Sequence, residues 1–341
     1  QHRVFLPYIG KYYTLFISLF EILAMAVLIA CIIFFIRRNI LSVKRFKSTD
    51  LKGYPTNDAN LILITEIILM FLFLIMNSAD LILQENNVEH YKNTGNFLVS
   101  SQLKFLFAPL PIGTIFIIER TAWWLHIVGI LSFLNYLPYS KHLHIILAFP
   151  NAYFAKLESG IVFKNMPTVQ QEVLYSFKPE LAPVENNSIE KFGAKDVHDL
   201  SWKSLLDAYS CTECGRCTNA CPANITGKIL SPRNIMMKTR DRLEQVGKNI
   251  QKNTSFLDDN KTLLHDYITE EELWACTTCN ACVEECPVSI SPLDIIIELR
   301  RGLIMEESKA PKEWNNLFSN IENNFSPWKF SPDDRDKWSK E

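Results

Sequence analysis

Residues 211–222 read CTECGRCTNACP, and residues 276–287 read CTTCNACVEECP. Both stretches follow one pattern: two, two and three residues separate successive cysteines, and a proline follows the last one. The two runs hold eight of the nine cysteines of this 341-residue chain. Two copies of such a dense cysteine pattern indicate a metal-binding domain.

This spacing is the one found in bacterial two-cluster ferredoxins, where the fourth cysteine of each run binds the other cluster. It predicts two [4Fe–4S] clusters, each with four cysteine ligands. The ligands of the first are Cys211, Cys214, Cys217 and Cys286, and those of the second are Cys276, Cys279, Cys282 and Cys221. Zinc is the alternative, but a zinc ion takes four ligands, usually as two pairs, and does not require two runs each closed by proline.

Helical patterns surround the cysteine runs. They lie at residues 201–210, 232–248, 268–275 and 292–305. The first begins before one run, the last follows the other, and little alternating β-branched sequence lies between the runs. We therefore predict an all-helical ferredoxin domain at residues 196–310. A linker at residues 156–195 precedes it, and a polar tail at residues 311–341 follows.

Residues 1–155 are dominated by long apolar runs. Because about 20 apolar residues cross the hydrocarbon core of a bilayer, we predict three membrane spans. They lie at residues 13–36, 60–83 and 120–140. Residues 97–118 are interrupted by a lysine and two prolines, which predicts an interfacial or re-entrant segment. The fold class is therefore all-α: a transmembrane helical bundle followed by a soluble helical dicluster ferredoxin domain.

The distribution of basic residues predicts the orientation in the membrane. Six of them follow the first span: Arg37, Arg38, Lys44, Arg45, Lys47 and Lys52. Cytoplasmic loops carry such an excess, so the N-terminus is expected outside and the cysteine-rich domain in the cytoplasm. The net charge of −2 gives no indication of nucleic-acid binding.

Two histidines stand out in the membrane half. His126 lies in the third span, and His144 follows it by 18 residues. On one continuous helix they would share a face about 27 Å apart, as two redox centres across a membrane would require. A haem in a helical bundle often takes axial histidines from two helices, yet the first two spans contain none. The alternative is that His126 is a buried, hydrogen-bonded polar residue, while His142 and His144 meet lipid headgroups.

Residues 196–305 resemble the helical dicluster ferredoxin domain of heterodisulfide-reductase-like and glycolate-oxidase-like iron–sulfur oxidoreductases. The phrases CTECGRCTNACPANITGK and LWACTTCNACVEECPVSI carry the resemblance. It implies an electron-transfer subunit of the bacterial inner membrane, placed between a cytoplasmic redox partner and the quinone pool. The partner would be a cysteine-rich catalytic subunit or an electron-transfer flavoprotein. Since no cysteine follows Cys286, the catalytic module is expected on another chain.

Residues 120–155 resemble the last helix of the nitrate-reductase gamma-subunit-like membrane domain. Two histidines 18 residues apart bind two b haems there, which implies His126 and His144 as axial ligands of haem b. That domain has five or six spans, with the partner histidines on an earlier helix. Because the chain begins with Gln1, we expect two further spans before it. A second hypothesis makes the chain a membrane scaffold whose clusters stabilise the fold without redox turnover.

Overall fold

The computed structural model describes residues 6–41, 43–157, 165–182, 191–329, 331–334 and 336–340. Throughout this part of the chain the secondary structure is helical, and no β-strand occurs. The all-α prediction is confirmed. The chain divides into two compact units, Gln1–Ile146 and Leu147–Glu341, whereas the sequence predicts a boundary near residue 155.

Three helices of the first unit are long and apolar enough to cross a membrane. They are α1 (Tyr13–Asn39), α2 (Tyr54–Glu85) and α3 (Ile112–Tyr136). The protein is therefore associated with a membrane. Helix α3 begins before the predicted residue 120, because Pro111 takes the extended N-cap position and its fixed φ is compatible with a helix start. Helix α2 packs against both of the others.

A buried carboxylate ties the segment before α3 to the bundle. Glu21 of α1 accepts hydrogen bonds from the side-chain amide of Asn77 (3.0 Å) and from the backbone N–H groups of Val99 (2.8 Å) and Ser100 (3.1 Å). The two backbone donors lie at the start of a short helix, Ser100–Leu103, where N–H groups lack helical partners. Glu21 therefore has a structural role: it satisfies that helix end inside the bundle.

The chain does not continue as one helix from His126 to His144. Helix α3 ends at Tyr136, and the backbone at Ser140 is extended, with φ −107° and ψ 151°. Asp58 of α2 stabilises this break by accepting hydrogen bonds from the Ser140 hydroxyl (2.7 Å) and the Lys141 N–H (3.1 Å). The prediction that the two histidines share one helical face is therefore wrong.

Helix α4 (His144–Tyr153) begins at the end of the first unit. The longer helices that follow are α5 (Pro167–Phe177), α6 (Trp202–Ser210), α7 (Pro232–Asn253), α8 (Glu270–Trp274), α9 (Pro292–Arg301) and α10 (Lys312–Asn324). Helix α5 lies in the predicted linker, and α10 lies in the predicted polar tail. Three short helices accompany the cysteine runs: Arg216–Ala220, Pro222–Ile225 and Ala281–Glu284.

Among the described residues, an apolar core of the second unit combines side chains of α6, α7, α8 and α9 with residues of the segments between them. A buried arginine, Arg242 of α7, closes the core on one side. Its guanidinium donates to the carboxylates of Asp196 (2.6 Å) and Asp259 (2.6 Å). Because both charges of a buried pair must be compensated, this three-residue network fixes two distant loops on α7. The core and the network hold the cysteine runs in place.

Candidate metal centres

The two cysteine runs follow the same backbone path. Two positions of each run have left-handed backbone conformations: φ is 55° at Glu213 and Thr278, 74° at Gly215 and 62° at Asn280. Glycine and asparagine tolerate this region better than other residues. The last two of these residues are the N-caps of the short helices that follow. Each run is therefore a tight loop that ends in a helical turn.

A cavity lies at the first run. It contains about 350 Å³ of empty space, counted with its open mouth. Four of its lining residues are the cysteines predicted to bind the first cluster: Cys211, Cys214, Cys217 and Cys286. The last of these comes from the second run.

A second cavity, of about 330 Å³ counted in the same way, lies at the second run. Its cysteines are those predicted for the second cluster: Cys221, Cys276, Cys279 and Cys282. The fourth cysteine of each run thus lines the cavity of the other run. Cys282 also borders the first cavity, so the two cavities are neighbours. Cys279 is the one cysteine of the two runs that is exposed to solvent.

Burial controls the protonation of these thiols. It raises the pKa of Cys211 and Cys282 to about 12, and that of Cys217 to about 11. A thiolate in such surroundings is unfavourable without a cation, so metal binding there would displace the proton. Backbone N–H groups already point at two of the sulfurs: Thr278 donates to Cys276 (3.4 Å) and Ile290 to Cys286 (3.3 Å).

The donor set fits a polynuclear cluster better than a single ion. Within the described ranges, no three His, Cys, Asp or Glu side chains lie close enough together to hold one metal ion. Zinc requires all of its ligands within about 2.3 Å of one point. Four cysteines of the predicted sets line each cavity, and four is the number of cysteine ligands that one [4Fe–4S] cluster would take.

The two histidines predicted to bind haem, His126 and His144, lie on different helices. His126 on α3 has its Nδ1 3.0 Å from the Leu69 carbonyl oxygen of α2, and its ring lies 5.8 Å from that of Phe73. His144 starts α4, with Nδ1 2.7 Å from the Lys141 carbonyl oxygen. His126 is half-buried and has a polar partner within the bundle. Haem binding stays a prediction.

Three arginines near the cysteines are not singled out by the cysteine pattern. Arg233 lines the first cavity and is 1% exposed. Arg240 forms a buried ion pair with Glu213 (2.7 Å), and Arg300 donates to the backbone carbonyl oxygen of Cys276. Their positions in the sequence could have identified them, because each follows a Ser-Pro pair that starts a helix. Arg233 is two residues after the serine of its pair, and Arg240 and Arg300 are each nine residues after theirs.

Part of the chain matches a known protein family, and most of it matches known proteins. Residues 210–290 match the 4Fe-4S dicluster domain family. The "Probable iron-sulfur-binding oxidoreductase FadF" of Bacillus subtilis is 32% identical over 98% of this chain and 47% of its own length. "EtfAB:quinone oxidoreductase" of Syntrophomonas wolfei is 28% identical over 65% of this chain and 31% of its own length.

A shorter match covers about a third of the chain. One component of the "Ferredoxin/F(420)H(2)-dependent CoB-CoM heterodisulfide reductase" of Methanosarcina acetivorans is 36% identical over 31% of this chain and 53% of its own length. No solved structure matches. The chain spans about half or less of the length of these relatives.

These matches confirm the resemblance to membrane iron–sulfur oxidoreductases of the heterodisulfide-reductase-like kind. Residues 210–290 of the chain therefore form a 4Fe–4S dicluster domain. The matches do not address the resemblance of residues 120–155 to the nitrate-reductase gamma-subunit-like domain, which stays a prediction.

Proposed function

We propose that this membrane-bound relative of the iron–sulfur oxidoreductases carries electrons between a cytoplasmic redox partner and the quinone pool through two [4Fe–4S] clusters. The observation that carries the proposal is the exchange of cysteines between the two cavities. Because each cavity takes three of its predicted ligands from one run and the fourth from the other, neither cluster can be held without both runs.

The ligand sets follow from the cavity linings. Cys211, Cys214, Cys217 and Cys286 would hold the first cluster, and Cys276, Cys279, Cys282 and Cys221 would hold the second. Each bound cluster supplies one-electron redox chemistry at a potential set by its surroundings. The chain's own residues bind and orient the clusters. Cys211 is buried, and the Thr278 and Ile290 N–H groups stabilise negative charge on sulfur.

The orientation in the membrane is also a proposal. The Tyr54 hydroxyl at the start of α2 donates to the Tyr139 carbonyl oxygen just beyond α3 (2.8 Å). The basic residues between α1 and α2 therefore lie at the bundle end where the chain leaves toward the cysteine runs. Since loops rich in lysine and arginine remain in the cytoplasm, we place the dicluster domain in the cytoplasm, at the bacterial inner membrane.

The partners are inferred from names and resemblance. A relative named "EtfAB:quinone oxidoreductase" supports quinone on the membrane side and an electron-transfer flavoprotein on the other. A separate cysteine-rich catalytic subunit is the second candidate, and the heterodisulfide reductase match supports it. Haem b at His126 and His144 is carried over from the nitrate-reductase gamma-subunit-like resemblance alone. An absorption spectrum of the dithionite-reduced protein tests it, because reduced b haem has sharp visible bands.

The main proposal is tested by measuring quinone reduction by the purified full-length protein in detergent, with the cytoplasmic redox partner as electron donor. We expect removal of the clusters by a chelator under oxidising conditions to abolish the reaction, and reconstitution with iron and sulfide to restore it. Undiminished quinone reduction by the cluster-free protein would refute the proposal. Clusters that cannot be reduced and reoxidised without unfolding would favour the scaffold hypothesis, and zinc without labile sulfide would replace iron.

A further inference from the structure

The loops of the two cysteine runs differ in how far they are exposed to solvent. Residues 212–215 of the first run correspond to residues 277–280 of the second, since each stretch follows the first cysteine of its run. In the first loop the four residues alternate between half-buried and buried, whereas in the second they alternate between exposed and half-buried. The second loop is therefore the more accessible at every position, and Cys279 is exposed where its counterpart Cys214 is not.

An ion pair accounts for the burial of the first loop. The carboxylate of Glu213 accepts from Arg240 of α7 at 2.7 Å, and Glu213 is 4% exposed. Its counterpart in the second loop is Thr278, whose hydroxyl donates to the adjacent Thr277 carbonyl oxygen at 2.7 Å. An uncharged threonine cannot form an ion pair of this kind. The first loop is thus fastened to a long helix of the domain by a contact that the second loop cannot make.

Helix α4 borders the first cavity as well. Val288 lines this cavity, and its carbonyl oxygen accepts from the side-chain amide of Asn151 on α4 (2.8 Å). The hydroxyl of Ser210, the residue before Cys211, donates to the Leu147 carbonyl oxygen of the same helix (3.4 Å). Since α4 begins where the first unit ends, the first cavity is bordered by the segment through which the chain enters the dicluster domain from its membrane-spanning helices.

Access decides which cluster can exchange electrons with another protein. Electron tunnelling between two redox centres becomes much slower as the distance between them grows, so a partner must approach one cluster closely. The second cluster would have an exposed ligand, Cys279, in a loop that is exposed or half-buried throughout. Interfaces between electron-carrying proteins are small and transient, so one accessible loop can form the centre of such an interface.

We propose that the soluble redox partner docks over the loop of the second run, at Cys279, and exchanges electrons with the second cluster. In each encounter the reduced partner is oxidised by one electron, which reduces the second cluster and then passes to the first. Cys282 borders both cavities, so the step between the clusters is short. The inference rests on the proposed electron-transfer function and on the proposed ligand sets.

The first experiment measures how fast a reduced electron-transfer flavoprotein reduces the full-length protein in detergent after rapid mixing. T277W places a large side chain on the exposed loop, two residues from Cys279, and should lower the second-order rate constant about tenfold. N219W is the control, because Asn219 is exposed on the short helix that follows the first loop, and its rate constant should stay within about twofold of the wild type.

Iron content and the EPR spectrum after dithionite reduction establish that both variants keep their clusters. T277R takes the place of T277W if that variant loses iron. A rate constant that T277W leaves unchanged, or that N219W lowers as much as T277W does, would overturn the proposal.

The second experiment needs no partner protein. C214S should keep only the second cluster, and C279S only the first. Dysprosium–EDTA is a hydrophilic agent that speeds the electron-spin relaxation of a reduced cluster close to the protein surface. We expect a larger effect on C214S than on C279S, and an equal or smaller effect on C214S would overturn the proposal. C217S and C276S replace these variants if either loses all of its iron.

The two experiments separate this inference from the proposed function. Wild-type protein that the flavoprotein does not reduce would refute the flavoprotein as the partner in the proposed function, and the dysprosium comparison would still decide which cluster is accessible. Reduction of the wild type by the flavoprotein, together with equal dysprosium effects on the two one-cluster variants, would refute docking at Cys279 and leave the proposed function standing.

Discussion

The side-chain amide of Asn151 donates a hydrogen bond of 2.8 Å to the backbone carbonyl oxygen of Val288. The two residues are 137 positions apart. Asn151 lies on α4 and is completely buried, and Val288 follows Cys286 by two residues. On its other side the Asn151 carbonyl oxygen accepts from Lys203 (3.0 Å), which is also paired with Asp207 (2.6 Å). The end of α4 is thus attached directly to the loop that closes the first cavity.

Replacing Asn151 should loosen this attachment. N151A leaves the Val288 carbonyl oxygen without its donor and removes one acceptor from half-buried Lys203, which we expect to cost about 1 to 3 kcal/mol of unfolding free energy. Denaturant unfolding followed by the visible absorbance of the clusters measures it. N323A is the control, because Asn323 is exposed on α10, and its change should stay within about 0.5 kcal/mol. Equal effects of the two would refute this role.

Crossed ligation predicts which cysteine variants resemble each other. C286S should lose the same cluster as C217S, although the two residues belong to different runs, and C221S should lose the same cluster as C276S. Each variant should fall from about eight to about four irons per chain. Iron analysis and EPR of the reduced protein measure this. If C286S matched C276S instead, each run would hold its own cluster.

Glu307 should make stability depend on acid pH. Burial opposes its ionisation, but Lys195 (2.8 Å), His265 (2.8 Å) and Lys309 (3.1 Å) overcome this and lower its pKa to about 2. A carboxyl with a depressed pKa stabilises the folded state above its unfolded pKa, near 4.5, and loses that contribution as pH falls toward 2.

E307Q tests this contribution. We expect it to cost about 1 to 3 kcal/mol at neutral pH. Its difference from the wild type should shrink as pH falls below about 4.5. Denaturant titrations of the cluster-loaded protein between about pH 5 and 2 measure it. E322Q is the control, because Glu322 is exposed on α10. A difference that grows below about pH 4.5 would contradict the proposed ion pairs.

Gly129 is needed for the close approach of α2 and α3. A Cβ built on it would lie 2.7 Å from Cδ2 of buried Leu69, whose carbonyl oxygen contacts His126. G129I should therefore push the helices apart and cost about 1 to 3 kcal/mol, measured as thermal unfolding in detergent. G113I is the matched control on the same helix, because a Cβ there meets nothing within 4 Å. Comparable losses in both would rule out the packing explanation.

Local patterns were sufficient where the physical cause is local. The spacing of the cysteines specifies which of them can wrap one corner of a cluster, and the two tight loops at Gly215 and Asn280 follow from it. Apolar length alone identified α1, α2 and α3, because a bilayer core demands about 20 such residues whatever surrounds them. The 18-residue spacing of His126 and His144 was misleading because it places both on one face only if the helix is continuous. The helix ends between them, where Asp58 accepts a hydrogen bond from Ser140.

The sequence by itself determined the spacing of the cysteines, the helical class and the three long apolar helices. Only the tertiary structure decided which side chains surround those features. It brought Arg233 into the wall of the first cavity, paired Arg240 with Glu213 and left Arg300 beside Cys276. The reason is that burial and charge compensation depend on residues distant in the chain, which no local spacing encodes, whereas ligand spacing and helix length are properties of short segments.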